Sequence, residues 1–371
     1  MTSNLLPSEY VISNIDCIDS PALVVYEDIV RDNIRKAIAI VGDVDRLRPH
    51  VKTHKMEAVC RIMIEEGIKR YKCATIAEAE MLAVAGARDV LLAYQPVGPK
   101  VARLRKLTET FPRTVFSCLV DNADSLGFIN RAFDGVAPLN VFIDVNVGMN
   151  RTGAGVATSL LLAEMIPLAE NLRLVGLHGY DGHIHDNSLS ARRQAADKAS
   201  LILDQVYYAI RRSHYFRLTR IIGGTPTFPI HALRPDVECS PGTFVFWDAG
   251  YARAYLEMPF RYAAMVIGRV VSHADGNRMC VDIGYKSVAS ENPLPRIYFL
   301  NDPTIFPLEH SEEHLMVDAG CRGIFPIGTV LYGVPTHICP TVALYEKAFV
   351  VRNNLFLDTW PVTARNRFLN I

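Results

Sequence analysis

The stretch YKCATIAEAEMLAVAGARDVLLAY (Tyr71–Tyr94) decides the fold class of this chain. It begins and ends with short apolar runs of the kind that form buried strands. Between these runs, Thr75 and Glu78 have the spacing of a helix capping box, and Gly86 is a helix stop signal. The stretch therefore predicts a strand, a helix and a second strand parallel to the first.

The same pattern recurs on both sides of this stretch, and helical segments separate most of the strand candidates. Eight strands with helical crossovers predict an α/β fold with a parallel (β/α)₈ barrel. A doubly wound open sheet is the alternative, but its glycine-rich turn is missing after the first strand, which ends at Lys52. The eight candidates are LRPHVKT, YKCAT, DVLLAY, VFSCLVD, NVFIDVN, LVGLHGY, RIIGGT and VECSPGTFVF.

After about Tyr255 the sequence changes to strands joined by turns, with ADGN as a hairpin signal. We predict a barrel domain over residues 21–255 and a mostly β domain over residues 256–371. Residues 1–20 are expected to pack with the β domain. The sequence leaves open whether the early strand ALVVY (Ala22–Tyr26) joins the barrel.

The composition is that of an ordinary globular protein. Lys+Arg and Asp+Glu both number 39 in a chain of 371 residues, which argues against a nucleic-acid or membrane-surface partner. No apolar run approaches the ~20 residues of a membrane span, and the N-terminus does not have the pattern of a signal peptide. The scattered cysteines suit reduced core thiols, so we expect a cytoplasmic protein.

The motif RPHVKTHK (Arg48–Lys55) is unusually rich in nitrogen for the end of an apolar strand. His50 and His54 are predicted to lie on the same strand face as Lys52. Neighbouring cations lower the pKa of a lysine and make it a better nucleophile, so Lys52 is a candidate for a Schiff base. The alternative is an ordinary solvated lysine.

A Schiff-base cofactor such as pyridoxal phosphate also needs a phosphate site, which barrels commonly place after the last two strands. The motifs GGTPT (Gly223–Thr227) and SPGTF (Ser240–Phe244) follow the predicted seventh and eighth strands. Glycine backbone and threonine hydroxyls suit phosphate. The candidate ligands are Gly223, Gly224, Thr225, Gly242 and Thr243.

Together with PGTFVFWDAGY and HICPT, these motifs resemble those of the D-threonine aldolase and D-serine dehydratase family, across nearly the whole chain. The resemblance implies an alanine-racemase-like fold, a barrel plus a β domain. It also implies a pyridoxal phosphate enzyme with Lys52 as the covalent anchor, flanked by His50 and His54, and a homodimer.

The resemblance further implies residues around the cofactor ring. Arg151 matches an arginine position in the family, although a loop arginine paired with a local carboxylate is the alternative. His178 or Tyr180 is expected to face the pyridine nitrogen, and the sequence leaves that choice open. A neutral partner there would keep the ring less electron-withdrawing than a pyridinium.

His337 and Cys339 form an H-x-C pair, and the family places a metal at this motif. On a strand, alternate residues point the same way, so both side chains are expected to reach one ion. Imidazole and thiolate favour Zn²⁺ over harder divalent cations. Glu313 and His314 are left open as supporting groups or surface residues.

The implied substrate is a D-amino acid with a β-hydroxyl, and two reactions share this arrangement. In the family, the serine dehydratases carry cysteine at the position of Cys339 and the aldolases tend to carry aspartate, so Cys339 favours elimination of the D-serine dehydratase type. GYDGHIHD is closer to an aldolase pattern, and our preference for dehydration is slight. A racemase of the same fold, with Tyr285 as a second base, would leave the H-x-C pair unexplained. A bare barrel that only binds the cofactor lacks a β domain, and an NAD enzyme lacks its glycine motif here.

Overall fold

The computed structural model describes residues 6–213 and 218–371, and it contains both α-helices and β-strands. The helices are α1 Glu27–Val41, α2 Glu57–Glu65, α3 Ile76–Ala85, α4 Pro99–Thr110, α5 Ala123–Ala132, α6 Val156–Met165, α7 Leu189–Ser213, α8 Phe228–Ala232, α9 Ala249–Ala254 and α10 Ile338–Val342. The strands of the first half are β1 Ala22–Tyr26, β2 Arg70–Cys73, β3 Asp89–Leu92, β4 Val115–Val120, β5 Leu139–Val145, β6 Leu172–Gly179, β7 Thr219–Ile222 and β8 Val237–Cys239. Those of the second half are β9 Ala264–Ala274, β10 Arg278–Val281, β11 Ile297–Phe299, β12 Phe306–His310, β13 Leu315–Asp318, β14 Val330–Pro335, β15 Lys347–Arg352 and β16 Leu355–Pro361.

The chain divides into two compact units that are not contiguous in sequence. The barrel unit contains Ala37–Lys52, Cys60–Gly242 and Asn366–Ile371. Among the described residues, the β unit contains residues 6–36, Thr53–Val59 and Thr243–Arg365.

In the barrel unit, β2 to β8 form a seven-stranded parallel sheet in sequence order. Leu91, Leu119, Phe142 and Ile221, from four of these strands, pack into one buried cluster. In the first of the crossovers, Thr75 caps α3 by accepting a hydrogen bond from the backbone N–H of Glu78 at 3.0 Å, and Gly86 ends the helix in the left-handed conformation. The predicted strand–helix–strand unit is therefore confirmed.

Residues 47–51 close the barrel between β8 and β2. Leu47 bridges Cys239, and His50 bridges Lys72, both in the parallel sense. The predicted first strand is nevertheless wrong as a regular strand, because these bridges are isolated and residues 51–54 form a turn. Pro49 has no N–H to donate, which interrupts a continuous ladder. With this segment in the eighth place, the predicted α/β barrel architecture is confirmed.

A buried ion-pair cluster holds this closing segment to its neighbours. Arg48 is only 2% exposed and places its Nη1 2.6 Å from Asp89 Oδ1 and its Nε 2.7 Å from Glu238 Oε2. Asp89 belongs to β3 and Glu238 to β8. The arginine of the RPHVKTHK motif thus ties the closing segment to strands on both sides.

The predicted eighth strand is also shorter than expected. Only Val237–Cys239 pair with β7, and Thr243–Val245 form a 3₁₀ turn. Pro241 and Gly242 lie between them, and both residue types disfavour a strand interior.

The β unit contains a nine-stranded, mostly antiparallel sheet. The ADGN hairpin is confirmed, since β9 and β10 pair across it with Ala274 opposite Arg278 and Gly276 at positive φ. Strand β1 pairs with β9 and β15 of this sheet, so it does not join the barrel. None of the helices in the described residues has both the length and the apolar character of a membrane span.

Candidate active site

Three cationic side chains approach one aromatic ring in the barrel unit. The ring centroid of Tyr180 lies 5.8 Å from Lys52 Nζ, 5.4 Å from Lys72 Nζ and 5.2 Å from the guanidinium carbon of Arg151. Tyr180 directly follows β6, so this cluster lies at the carboxyl ends of the strands, where barrels of this class carry their active sites. Arg151 is exposed, whereas Lys52 is half-buried.

The two histidines beside Lys52 do not share a face with it. His50 accepts a hydrogen bond on Nδ1 from the backbone N–H of Lys52 at 3.2 Å. His54 belongs to the β unit, where its Nδ1 accepts from the backbone N–H of Met56 at 3.1 Å and its ring packs against Phe246. The predicted pair of histidines flanking Lys52 on a strand is therefore wrong, because the chain turns after His50.

His54 is completely buried, and this burial lowers its pKa to about 3. Its Nε2 has no hydrogen-bond partner among the described residues. An imidazole in this environment stays neutral at ordinary pH and packs as a core residue.

A line of hydrogen bonds crosses the inside of the barrel from β5 to β2. Asp144 Oδ1 lies 2.8 Å from His178 Nδ1, and His178 Nε2 lies 3.4 Å from Lys72 Nζ. Strands β2 and β6 are not neighbours in the sheet, so Lys72 and His178 meet in the barrel interior. On the far side, Gln95 donates to Asp144 Oδ2 at 3.3 Å.

This line fixes the protonation of its members. Burial favours the neutral form of His178, and Lys72 lowers its pKa further, although Asp144 opposes both effects. Burial alone would raise the pKa of Asp144, but the hydrogen bond from His178 lowers it overall. His178 is thus a neutral imidazole that donates from Nδ1 to a carboxylate and accepts at Nε2.

Of these residues, His178 is predicted from the sequence, whereas Lys72 and Asp144 are not. Lys72 lies in the strand candidate YKCAT and Asp144 in NVFIDVN, and the apolar character of these runs predicts only buried strands. A charged residue within a buried strand is the signal that could have found them, because such residues are rarely buried without a partner.

The loops after β7 and β8 are joined to each other and to the closing segment. Ser240 N–H donates to Gly223 O at 3.0 Å, and Gly242 N–H donates to the Thr225 hydroxyl at 3.0 Å. His50 N–H donates to Pro241 O at 2.9 Å. The structure therefore brings both predicted phosphate loops together with the segment that carries Lys52.

A buried carboxylate, Asp181, anchors the first of these loops. It accepts from Gly224 N–H at 3.1 Å and from His231 Nε2 at 2.9 Å, and both side chains are fully buried. Burial would raise the pKa of Asp181, but the hydrogen bond from His231 lowers it overall. Arg234 donates to His231 Nδ1 at 2.9 Å, so Nε2 carries the proton shared with Asp181. None of these three side chains is among the residues predicted from the sequence.

The residues of the two loops fit a phosphate group. The Ser240 hydroxyl is buried without a hydrogen-bond partner among the described residues, and such a group ordinarily has one. Gly223 has φ of 96°, and a Cβ there would meet His231 Cδ2 and Phe228 Cα at 3.1 Å. Of the predicted ligands, Thr243 belongs to the β unit, where its hydroxyl is 3.4 Å from Cys339 Sγ.

The H-x-C pair does not lie on a strand as predicted. His337 is extended and precedes α10, and Cys339 is in the first turn of that helix. Pro340 follows Cys339 and suits a first helical turn better than a strand interior. The two side chains still interact with each other. Burial alone would lower the pKa of His337 and raise that of Cys339, but their hydrogen bond outweighs burial: it raises the pKa of His337 to about 9 and lowers the pKa of Cys339.

The donor chemistry of this pair fits a zinc ion with open positions. Glu291 Oε1 lies 2.7 Å from His337 Nδ1, which leaves Nε2 as the ring nitrogen for a metal. A carboxylate on the second ring nitrogen is the usual support of a metal-bound histidine. Thr53 places its hydroxyl 3.2 Å from Cys339 Sγ.

The rest of a metal-binding set is not evident near this pair. No group of three or more metal-binding side chains occurs in the described ranges 6–213 and 218–371. Glu313, left open by the sequence, forms an exposed ion pair with Lys286 at 3.0 Å, and His314 is also exposed.

The chain matches the models of two known protein families. The model of the alanine racemase N-terminal domain matches residues 25–244, and a model of a serine dehydratase domain matches residues 263–351. The first match spans more than half of the sequence, so the chain belongs to the family of the alanine racemase N-terminal domain.

Individual relatives narrow this assignment. D-threonine aldolase of Arthrobacter sp is 28% identical over 357 residues, which cover 94% of this chain and 93% of that protein. D-threo-3-hydroxyaspartate dehydratase of Delftia sp. (strain HT23) is 26% identical over 372 residues, with 92% and 97% covered. The crystal structure of D-threonine aldolase from Filomicrobium marinum matches with a TM-score of 0.84 and 27% identity, covering 94% of this chain and 96% of that one.

These relatives are aldolases and dehydratases. The predicted resemblance to the D-threonine aldolase and D-serine dehydratase family is therefore confirmed, together with the alanine-racemase-like fold and the prediction of an enzyme of the lyase class.

Proposed function

We propose that this protein is a pyridoxal phosphate-dependent lyase that acts on D-amino acids carrying a β-hydroxyl group. The observation that carries the proposal is the placement of Lys52 beside Tyr180 at the barrel mouth, on a segment tied to two phosphate-suited loops. Each relative reported above acts on a D-amino acid according to its name.

In this proposal each part of the cofactor has a partner in the barrel unit. Lys52 is the covalent anchor, Tyr180 packs near the ring, and the buried Ser240 hydroxyl beside Gly223 receives the phosphate. When bound, pyridoxal phosphate supplies an electron sink that stabilises negative charge at the substrate Cα. Asp181 holds the backbone of the phosphate loop through Gly224 N–H.

Tyr180 is the better candidate than His178 for a residue close to the ring. His178 uses both ring nitrogens, one toward Asp144 and one toward Lys72. Its role is to position Lys72 and to hold a proton on Nδ1. Arg151 lies over the Tyr180 ring, which supports a place near the cofactor.

His337 and Cys339 would hold the divalent metal, with Zn²⁺ as the proposed ion. A bound zinc ion supplies Lewis acidity, which suits activation of the substrate β-hydroxyl. The chain itself prepares the ligands: the contact with His337 lowers the thiol pKa of Cys339, and Glu291 orients the imidazole.

Elimination of the D-serine dehydratase type is the preferred reaction, on the strength of Cys339. Retro-aldol cleavage is the second candidate, supported by the sequence GYDGHIHD and by the similarity to D-threonine aldolase of Arthrobacter sp. For the racemase alternative, Tyr285 is the proposed second base, and its side chain is exposed at 39%.

The cofactor assignment is tested by visible absorbance after reconstitution with pyridoxal phosphate. Lys52→Ala is expected to abolish the absorbance of the bound cofactor, whereas Lys55→Ala, in the same motif, retains it. Unchanged absorbance in Lys52→Ala would contradict the assignment.

The reaction is tested by product analysis with zinc and pyridoxal phosphate present. Pyruvate and ammonia from D-serine identify dehydration, and glycine and acetaldehyde from D-threonine identify the aldolase reaction. Exchange of the Cα hydrogen with solvent, without either set of products, would favour the racemase.

A further inference from the structure

Lys72 is a buried amine for which none of the described residues provides a counter-ion. Its side chain is 3% exposed, and its hydrogen-bond partner is the neutral His178 at 3.4 Å. In the chain as described, no carboxylate forms an ion pair with Lys72 Nζ. Buried charges in proteins are ordinarily paired. We therefore expect Lys72 to pair with an anionic group of a bound ligand.

The groups that face Lys72 explain why its ammonium form is disfavoured. The pKa of Lys72 is lowered to about 7, mainly by burial and next by the positive charge of Lys52, with a smaller contribution from Arg48. Asp181 and Asp144 oppose these effects at longer range. His178 contributes no charge, and the Tyr180 ring lies 5.4 Å from Nζ.

We propose that Lys72 binds a carboxylate group of the substrate, an inference that rests on the proposed function. Lys72 and Lys52 approach the same ring, at 5.4 and 5.8 Å, so a substrate held next to Lys52 has Lys72 as a buried cationic neighbour. In the proposed function, Ser240 and the loops after β7 and β8 bind the phosphate of the cofactor, so the phosphate is not the partner of Lys72. Arg151 is exposed, so its charge is satisfied by solvent.

The position of the amine is set by the protein before any ligand arrives. Asp144 fixes the tautomer of His178, so that Nε2 accepts one N–H of Lys72 and the other hydrogens of the amine remain available. A carboxylate placed there forms a charge-assisted hydrogen bond in a site largely screened from water, where such bonds are strong.

Two carboxylates come into question, the α-carboxylate of any D-amino acid and the side-chain carboxylate of a 3-hydroxyaspartate. The test uses D-lactate and D-malate, which carry one and two carboxylates and lack the amine that reacts with the cofactor. Their binding to the pyridoxal phosphate-loaded enzyme is measured by calorimetry for wild type, Lys72→Met and Lys69→Met. Lys69 is the matched control, because it is an exposed lysine paired with Asp45.

Lys72→Met is expected to weaken binding by about 10- to 100-fold, the value of a hydrogen bond to a charged group. An equal loss for both probes assigns Lys72 to the α-carboxylate, and a loss for D-malate alone assigns it to the second carboxylate. Lys69→Met should bind like wild type. Unchanged affinity of Lys72→Met for both probes, or no binding of either probe to wild type, would overturn the proposal.

A second measurement uses the wild-type protein alone, so its result does not depend on whether Lys72→Met folds correctly. Because a carboxylate stabilises the ammonium form of Lys72, binding at pH 8 should take up protons, which calorimetry detects as heats that differ between buffers of different ionisation enthalpy. Binding without proton uptake would contradict the proposal. Loss of cofactor absorbance in Lys52→Ala tests the proposed function separately, so the two can fail independently.

Discussion

Asp144 Oδ1 lies 2.8 Å from His178 Nδ1, and this contact decides which nitrogen of the imidazole faces the barrel mouth. The carboxylate accepts the proton of Nδ1, so Nε2 offers a lone pair to Lys72. Burial and Lys72 keep the histidine neutral. Asp144 lies on β5, two residues after Phe142 of the buried apolar cluster. Through His178 it orients Lys72, which lies across the barrel on β2.

Asp144→Asn should reverse the tautomer of His178. The amide of asparagine can donate to Nδ1, which moves the imidazole proton to Nε2 and removes the acceptor of Lys72. We expect lyase activity to fall by about 10- to 100-fold, as for other residues that orient a functional histidine. Nitrogen NMR of the labelled side chain reports the tautomer directly, and unchanged shifts would contradict the assignment.

Arg48→Met should destabilise the barrel unit strongly. The substitution removes the buried cation between Asp89 and Glu238. Of the described residues, Arg70, whose Nη1 lies 3.2 Å from Glu238 Oε1, is then the single cation left beside two carboxylates. The expected loss is about 3–5 kcal/mol in the free energy of unfolding. Lys69→Met, which breaks only the exposed pair with Asp45, should change it by less than about 1 kcal/mol. Urea unfolding measures both, and similar midpoints for the two variants would refute the role of Arg48.

His54 should make the protein less stable in acid. Its pKa is lowered to about 3 in the folded state, whereas the unfolded chain protonates it near its ordinary value of about 6.5. Its contribution to stability is therefore complete above pH 6.5 and is lost as the pH falls toward 3. The maximal slope is about 1.4 kcal/mol per pH unit.

The variant His54→Asn isolates this contribution. Its free energy of unfolding should depend less steeply on pH between 6 and 4 than that of wild type. At pH 8 the difference between the two proteins reflects packing and the hydrogen bond from the Met56 N–H. Parallel pH profiles would show that His54 does not titrate as described.

Cys339→Ala should reduce zinc retention by at least about 10-fold, because it removes one of the two proposed protein ligands. Metal analysis after dialysis against a chelator measures the loss. Cys321→Ala is the control, since Cys321 is an exposed cysteine outside the pair. Cofactor absorbance should stay the same in both variants, and equal zinc in Cys339→Ala and wild type would exclude Cys339 as a ligand.

The fold could be predicted because its signals are local. Alternating apolar runs and helical segments indicate a barrel wherever each strand is bounded by its own turn. The cap at Thr75 and the hairpin at Gly276 depend on residues close in sequence. The closing segment could not be predicted from such local signals. Pro49 interrupts its ladder, and its bridges connect the two ends of the sheet, β8 and β2.

The site was only partly predictable. Lys52 and the two glycine loops belong to motifs that can be read along the chain. Lys72, Asp144 and Asp181 become functional only through contacts across the barrel, which depend on strand register and not on sequence spacing. The orientation of His54 could not be predicted either, because residues 51–54 form a turn and do not continue the alternation of a strand.

The closing segment is also the place where we expect the barrel sheet to open locally. Its amides reach one way to Cys239 and Pro241 and the other way to Lys72, and no continuous ladder protects them. A ligand that contacts both Lys52 and the loop after β8 would hold the closing segment against β8 and so stabilise the closed barrel. Its removal should therefore be felt first as faster hydrogen exchange at the amides of Arg48 and Val51, well before the other strands open.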